Sequence, residues 1–476
     1  MYSSLILLPF LGVMVLNLPF RALMRKAAFG LTLFIIALQI CSVVLPAIYP
    51  WSTLDAFGLF LKLNFAVDNL SRVLLMCIAI VSFAALFVQR YIVKDKERVF
   101  NFINMLLLII AGMNGVVIVR DIFSLYVFLE VASVCAFILI GSDKDIFAFE
   151  AAFKYIVLSV IATVLMLSSI ALLLIIAGDT GFSALNSALK VSANHYLIGF
   201  ALCMFLCALF IKSGLMPFHG WLPDAYQASP ASVSVLLAGI VTKTVGVYTT
   251  IRIVDSIFGY GNSVKNVLLA VGMISIVLGA LAALGQSDFK RMLAYSSISQ
   301  VGYIILGLAC GSALGLAGAI FHLFNHAIFK SLLFVNSAAV ESQTGTRNMD
   351  ELSGLSKKMP LTGATSVLAS LSAAGIPPLA GFWSKLIIVI ALWMSGLYVY
   401  AVIAILASVL TLAYFLSMQR RVFFGILGEG LGGIKEAGFG LALPAIILSA
   451  IIIGVGLFFP FILNSFILPV KGILGG

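Results

Sequence analysis

Residues 210–225 read Phe210-Ile211-Lys212-Ser213-Gly214-Leu215-Met216-Pro217-Phe218-His219-Gly220-Trp221-Leu222-Pro223-Asp224-Ala225, at the end of an apolar run that begins near residue 197. Pro217 removes a backbone donor and Gly214 loosens the turn before it, so a helix arriving from 197 stops here. The stretch Ala374-Gly375-Ile376-Pro377-Pro378-Leu379-Ala380-Gly381-Phe382-Trp383-Ser384-Lys385 repeats the combination of glycine, proline and lysine inside a second apolar run. In a bilayer such breaks survive where the freed amides and carbonyls line protein or a wet cavity, and a pair of them points to a transporter built from inverted repeats. Proline and glycine are also common in ordinary membrane helices, which is the simpler explanation of either break taken alone.

Composition supplies the membrane. The chain is 62% hydrophobic and only 10% charged, its mean hydropathy is +1.19, and apolar runs of roughly 20 residues recur from end to end. Its 41 glycines are spread through the apolar segments, as close helix packing requires. Fourteen spans are expected, at 4–20, 27–48, 66–89, 100–119, 122–142, 147–177, 197–216, 230–251, 264–285, 292–310, 312–338, 361–393, 397–419 and 440–465. The runs at 147–177 and 361–393 exceed the length needed, so each is expected to tilt, extend beyond the bilayer or break. The expected fold is an all-α polytopic membrane protein with about 14 transmembrane helices, the seventh and twelfth broken. Residues 1–99 hold three N-terminal helices, 100–251 and 264–425 two inverted five-helix repeats, and 440–476 the C-terminal helix.

A net charge of +10 would suit a nucleic-acid partner, until the 28 Lys and Arg are assigned to alternate sides of these spans. Sixteen, among them Arg25, Arg98, Lys290, Arg347 and Arg421, fall on the side of the loop after the first span; seven, including Lys62, Arg120, Arg252 and Lys471, fall on the other. The remaining five are Lys154 and four lysines inside spans. The excess places the basic side in the cytoplasm and both termini outside, as a multi-pass protein of the cytoplasmic membrane with no nucleic-acid partner. In the first span the basic cluster follows the apolar run and no cleavage site is evident, so a retained helix is expected instead of a secretory signal.

The six cysteines, at 41, 77, 135, 203, 207 and 310, all lie in apolar spans, and only Cys203 and Cys207 are near each other. Iron–sulfur and zinc sites need several thiolates converging from loops, and nucleotide sites need glycine-rich phosphate loops that are absent from the sequence. No cofactor and no metal are expected in this chain, and any redox chemistry belongs to another subunit.

What remains is a set of ionisable side chains inside spans, where a charge costs on the order of 3 kcal/mol and is kept for a partner, a wet cavity or a task. Glu130 lies midway through its span, with no other charge between Asp121 and Asp143. Its alternatives are a structural ion pair with a lysine or a switchable element of a charge relay. Lys212, near a helix end, is placed either to snorkel or to exchange protons; Lys243 is too central for snorkelling. A lysine titrates near about 10.4 in water, so exchange near neutral pH requires surroundings that destabilise its cation by roughly 4 kcal/mol. His322, His326 and Lys330 fall at i, i+4 and i+8 on one helical face, a set able to pass protons through water. A single membrane histidine such as His326 also serves as a hydrogen bond between helices. A metal site is disfavoured, since no carboxylate in the span joins the histidines.

Residues 100–425 resemble the antiporter-like proton-translocating membrane subunits shared by respiratory complex I, energy-converting membrane-bound hydrogenases and Mrp Na+/H+ antiporters. The segments carrying the resemblance are Lys212 to Ala225, Lys290-Arg291-Met292-Leu293-Ala294-Tyr295-Ser296-Ser297-Ile298-Ser299-Gln300, His322 to Lys330, and Gly375 to Lys385. The resemblance implies fourteen helices, two inverted repeats and a chain of buried charges. In it Glu130 pairs with Lys212, Lys243 links them to the second half, His322 and Lys330 form the polar face of the eleventh helix, and Lys385 ends the row. Pro217, Pro377, Pro378 and His326 support it. The sequence stops soon after its last span, as in the compact members, including the D-type Mrp subunit.

The expected mechanism is proton entry from the cytoplasm, residence on Lys212 or Lys243, lateral transfer by His322 and Lys330, and exit near Lys385. The expected partners are other membrane subunits, a peripheral redox arm, lipid, and H+ or Na+ as cargo. The alternatives are an Mrp-type Na+/H+ antiporter subunit, and a structural scaffold whose polar residues only lock helices together.

Overall fold

The computed structural model describes residues 3–19, 21–44, 64–428 and 430–467. Lys62, Lys471 and the end of the span expected at 27–48 lie outside the described residues. Twelve of the described helices are long and apolar enough to cross a membrane. In chain order the helices are α1 (Ser4–Leu16), α2 (Arg21–Val44), α3 (Asn69–Ile92), α4 (Lys96–Ile118), α5 (Ile122–Ile140), α6 (Ile146–Ala177), the short α7 (Phe182–Val191), α8 (His195–Ser213), α9 (Trp221–Ala228), α10 (Ala231–Phe258), α11 (Asn262–Leu284), α12 (Phe289–Ala309), α13 (Ala313–Thr344), α14 (Pro360–Ala374), α15 (Ala380–Met394), α16 (Tyr398–Val422) and α17 (Phe439–Leu457). One expected span differs in form, since α1 has only 13 residues; the run at 361–393 breaks as expected, into α14 and α15, 15 residues each. The run at 147–177 is instead one unbroken helix of 32 residues.

The starts follow from side-chain chemistry. Asp68, Asp95, Asp121, Asp145 and Asp288 each accept a hydrogen bond from a backbone N–H of the first turn, which satisfies a donor that the helix leaves open. At the breaks, Gly214 (φ +66°) ends α8 and Gly375 (φ +87°) ends α14, in a left-handed conformation open to glycine at little cost. The Met216–Pro217 and Pro377–Pro378 peptides are cis.

Elements of the two halves match in detail. Caps Asp121 and Asp288, left-handed glycines Gly178 and Gly345, and bridge residues Gly181 and Asn348 are pairs separated by 167 positions. Asp121 bridges Gly181 and Asp288 bridges Asn348 in the same antiparallel sense. The helices between, α6 and α13, both have 32 residues.

α10, α12 and α13 form the centre, each about 94% buried over its most apolar window, whereas α6 is 28% buried. α10 departs from regular geometry, with π-helical turns at Leu237–Val241, Lys243–Tyr248 and Val254–Phe258. It packs by small residues. A Cβ on Gly246 would lie 2.6 Å from the Ser213 backbone, and one on Gly239 would collide with Ser331 Oγ. Gly246→Ala is therefore expected to push α10 off α8 and cost about 1–3 kcal/mol, read as a lower melting temperature of the purified protein.

Ion pairs respect the two sides expected from the charge count. Arg25–Glu97, Arg98–Asp143, Lys290–Glu341 and Arg421–Asp350 lie on the basic side, and Arg120–Asp68 and Arg252–Asp68 on the other. Arg252, buried at the end of α10, donates to both Asp68 oxygens at 2.6 and 2.9 Å, fixing α10 to the start of α3. Burial alone would raise the Asp68 pKa, but the hydrogen bond and charge of Arg252, with the charge of Arg120, hold it well below the usual carboxylate range. With the folded pKa below the unfolded value of about 3.9, this contribution is complete above that pH and is lost as pH falls toward the folded pKa. Asp68→Asn is expected to cost roughly 2–3 kcal/mol at pH 7, allowing for partial exposure. Its melting deficit relative to wild type should shrink only below about pH 4.

Candidate functional site

A buried row of charges crosses the interior, one element handing over to the next. It begins where α5, α6 and α8 meet. Lys212, in the last turn of α8, is 5% exposed and donates to Glu130 Oε1 at 2.9 Å, to Ser133 at 3.2 Å and to Ser159 at 3.4 Å. Thr163 of α6 donates to the same Glu130 oxygen at 2.8 Å. The glutamate lies on the rim of the molecule, its side chain 25% exposed, beside the exposed Val127 and Val134 of α5.

The next member is Lys243 on α10, fully buried and without an ion pair among the described residues. A π turn shifts the register of backbone hydrogen bonds by one residue, and here the Ala238 carbonyl, five residues back, accepts from Lys243 Nζ at 2.6 Å. Thr242 Oγ1 accepts a second bond at 3.1 Å and lies 2.9 Å from the Tyr226 hydroxyl of α9. The Gly246–Ser213 contact brings α10 against the residue after Lys212, and the Gly239–Ser331 contact sets it beside the residue after Lys330. Close packing of small residues is what lets adjacent charges approach through helix backbones.

α13 carries the following three. Lys330 donates to the Leu293 carbonyl at 3.0 Å and to Ser296 Oγ, both on α12, and lies 5.6 Å from the Phe415 ring centroid. His326 has neither ring nitrogen hydrogen-bonded among the described residues and packs edge-on against Phe329. His322 Nδ1 meets Ser384 Oγ of α15 at 2.9 Å, leaving Nε2 unpartnered among the described residues. Beside Ser384, Lys385 ends the row: its amine lies 4.4 Å from the Tyr303 ring centroid and 3.5 Å from the Ala374 carbonyl, the last of α14 before the break. The break thus supplies an oxygen to a cation, as a freed helix C-terminus can.

All six residues singled out from the sequence line this row, but among the described residues only Glu130 and Lys212 of the six form an ion pair. Lys243, Lys330 and Lys385 bind neutral oxygens or face aromatic rings. A buried amine without a carboxylate is held at high cost as a cation and at low cost as a neutral base. Pro217, Pro377 and Pro378 lie in the breaks and touch none of these charges through a hydrogen bond. The sequence did not single out Ser133, Ser159, Thr163, Thr242, Ser296, Tyr303 or Ser384. Hydroxyl residues are frequent in membrane helices, and only their shared face with a charge distinguishes these.

On the basic side a cleft of about 800 Å3 opens among α3, α6, α9, α12 and α13. Lys154 bridges Glu150 and Asp224 there, each at 2.7 Å; Arg291 binds Asp224 at 2.7 Å, and the buried Lys290 lies 3.2 Å from Glu341.

Comparison with known proteins agrees with this geometry. Residues 119–411 match the family described as NADH:quinone oxidoreductase/Mrp antiporter, transmembrane. The chain is 34% identical over 408 residues to NADH-quinone oxidoreductase subunit N of Desulforudis audaxviator, covering 83% of this chain and 81% of that protein. It is 30% identical over 404 residues to the D-type subunit of the Na(+)/H(+) antiporter of Alkalihalophilus pseudofirmus, covering 84% and 80%. Its fold superposes on a chain of the Mrp complex from Dietzia sp. with a TM-score of 0.89 at 25% identity, over 100% of this chain and 98% of that one. The matched region contains the whole row from Glu130 to Lys385, and the chain belongs to the NADH:quinone oxidoreductase/Mrp antiporter family of transmembrane proteins.

Proposed function

We propose that this chain carries protons across the membrane as the antiporter-like subunit of a multisubunit, redox-driven complex of the complex I or membrane-bound hydrogenase type. The observation that carries it is the row itself: one ion pair, Glu130–Lys212, followed by three buried amines with no carboxylate of their own among the described residues. Protons enter from the basic face, reside on Lys212 or Lys243, cross by Lys330 and His322, and leave by Lys385. When Glu130 is drawn away, Lys212 loses the charge that favours its cation and releases its proton. Moving one charge against 100 mV requires about 2.3 kcal/mol, which a change of partner at a buried ion pair can supply.

The partly exposed Glu130, on an otherwise apolar flank, supports a neighbouring membrane subunit at that face, because a carboxylate facing lipid would be costly. The electrons travel in a peripheral arm, and lipid covers the remaining apolar surface. The basic side faces the cytoplasm and both termini face outward, in the cytoplasmic membrane. The matched caps and glycines 167 positions apart support two inverted repeats, 100–251 and 264–425, each a half-channel, between helices 1–99 and 440–476.

A second reading, an Mrp-type Na+/H+ antiporter subunit, is favoured by the near-complete superposition on the Mrp chain. Against Na+ on this row stands its chemistry, since sodium needs several hard oxygen ligands and the row offers one carboxylate among four lysines. The test is the intact complex in sealed vesicles. Proton movement on adding an electron donor supports the first reading, and proton movement driven only by a Na+ gradient supports the second. An absence of proton movement under both conditions would sink the two together and leave a scaffold.

A further inference from the structure

Between Lys330 and the basic face, α13, α14 and α16 bring together a cluster of polar side chains that the row does not use. α14 enters the membrane after Lys357 and Lys358, and its first turn is capped by a loop carboxylate. Glu436 accepts from the Leu361 backbone N–H at 2.7 Å and from the Thr362 hydroxyl at 2.5 Å. One turn deeper, Thr365 donates to the Thr362 carbonyl and to Asn336 Oδ1 of α13, both at 3.1 Å. On the other side of α14, Gln419 of α16 donates to Ser366 and Ser370 at 2.8 and 2.9 Å. Asn336 and Gln419 are 1% and 3% exposed.

Capping explains Glu436, and helix-to-helix hydrogen bonding explains the threonine and serines. Neither explains what is left over. Asn336 Nδ2, Ser337 Oγ and Gln419 Oε1 are all buried without a hydrogen-bond partner among the described residues. Each such atom is costly if nothing meets it, and buried water is what commonly meets such atoms. Ser337 is two turns from Lys330 on the same face of α13, about 10 Å at 1.5 Å per residue, a gap of a few waters.

We propose that this polar cluster binds water and feeds protons from the basic face to Lys330, a second entrance independent of Glu130 and Lys212. Glu436 collects the proton; waters held by Asn336, Ser337 and Gln419 pass it on, each O–H that breaks being replaced by one formed on the next oxygen. The last transfer converts the Lys330 amine to an ammonium. This rests on the proposed function, in which Lys330 carries protons.

The test uses the intact complex in proteoliposomes, scoring proton translocation at equal assembly. Asn336→Leu replaces the amide with an apolar side chain of similar size and is expected to lower translocation about tenfold or more. Asn336→Ser leaves room for water and should restore most of that loss, which a purely structural amide would not allow. Gln419→Leu, on a different helix, should repeat the loss and serves if Asn336→Leu fails to assemble. Lys330→Met is the reference. If it is inactive while both leucine variants pump normally, the feed is wrong and the proposed function stands. If it pumps normally, the proposed role of Lys330 and the feed fall together. Equal losses in Asn336→Leu and Asn336→Ser would also overturn the feed.

Discussion

Lys212→Ala is expected to lower proton translocation by the intact complex roughly 100-fold while the complex still assembles. Among the described residues the lysine is the only partner that gives Glu130 an ion pair, and it joins α8 to α5 and α6 through Ser133 and Ser159 as well. Removing one member of a buried pair costs about 3–5 kcal/mol when the other is left charged in a dry site. Glu130 escapes most of that cost, because a quarter of its side chain is exposed and Thr163 still donates to it. The lost element is therefore the switch, not the fold. Pumping in sealed vesicles and the yield of assembled complex check the two halves of this statement. A variant that pumps at the wild-type rate would move the proton path to another subunit, and loss of assembly with loss of pumping would favour a scaffold.

Lys330→Met should separate function from stability in the opposite sense. Lys330 is fully buried, and its hydrogen bonds end on the Leu293 carbonyl and the Ser296 hydroxyl, with no carboxylate among the described residues to offset its charge. Methionine fills nearly the same volume without a polar group to desolvate, so the variant is expected to melt at or above the wild-type temperature. Translocation should fall by about 100-fold, because His326 and His322 on one side and Lys243 on the other lose the amine between them. A loss of thermal stability together with retained pumping would show Lys330 to be a structural bolt.

The contrast between these lysines indicates how far the sequence could be read. Both stand out in it for the same reason, a charge inside an apolar run. Spacing put His322, His326 and Lys330 on one helical face, and the structure keeps them there. It could not say which lysine holds a carboxylate, since Glu130 and Lys212 are 82 positions apart and meet only because α5 and α8 pack side by side. The break at 374–385 was legible from Gly375, Pro377 and Pro378, whereas the π turns of α10 carry no such mark. Leu237 to Tyr248 holds two glycines and six β-branched residues, a composition that weakens a regular helix without specifying a π turn, and the turns accompany close packing of Gly246 and Gly239 against Ser213 and Ser331. The polar cluster around Asn336 was invisible for a related reason. Serine, threonine and glutamine in membrane helices are common, and convergence of α13, α14 and α16 is what makes a site of them.

By itself, then, the sequence determined a many-helix membrane protein, its two breaks, its two charged faces and the row of ionisable residues. Hydropathy, proline, glycine and burial cost act locally or residue by residue, and such effects can be read along a chain. Only the tertiary structure decided that Lys243, Lys330 and Lys385 meet no carboxylate among the described residues, that Lys243 rests on the carbonyl of a π turn, and that Lys385 faces the Tyr303 ring and the open end of α14. Those outcomes depend on which helix faces lie within about 3 to 5 Å of one another, a quantity that side-chain packing fixes and that spacing along the chain does not contain.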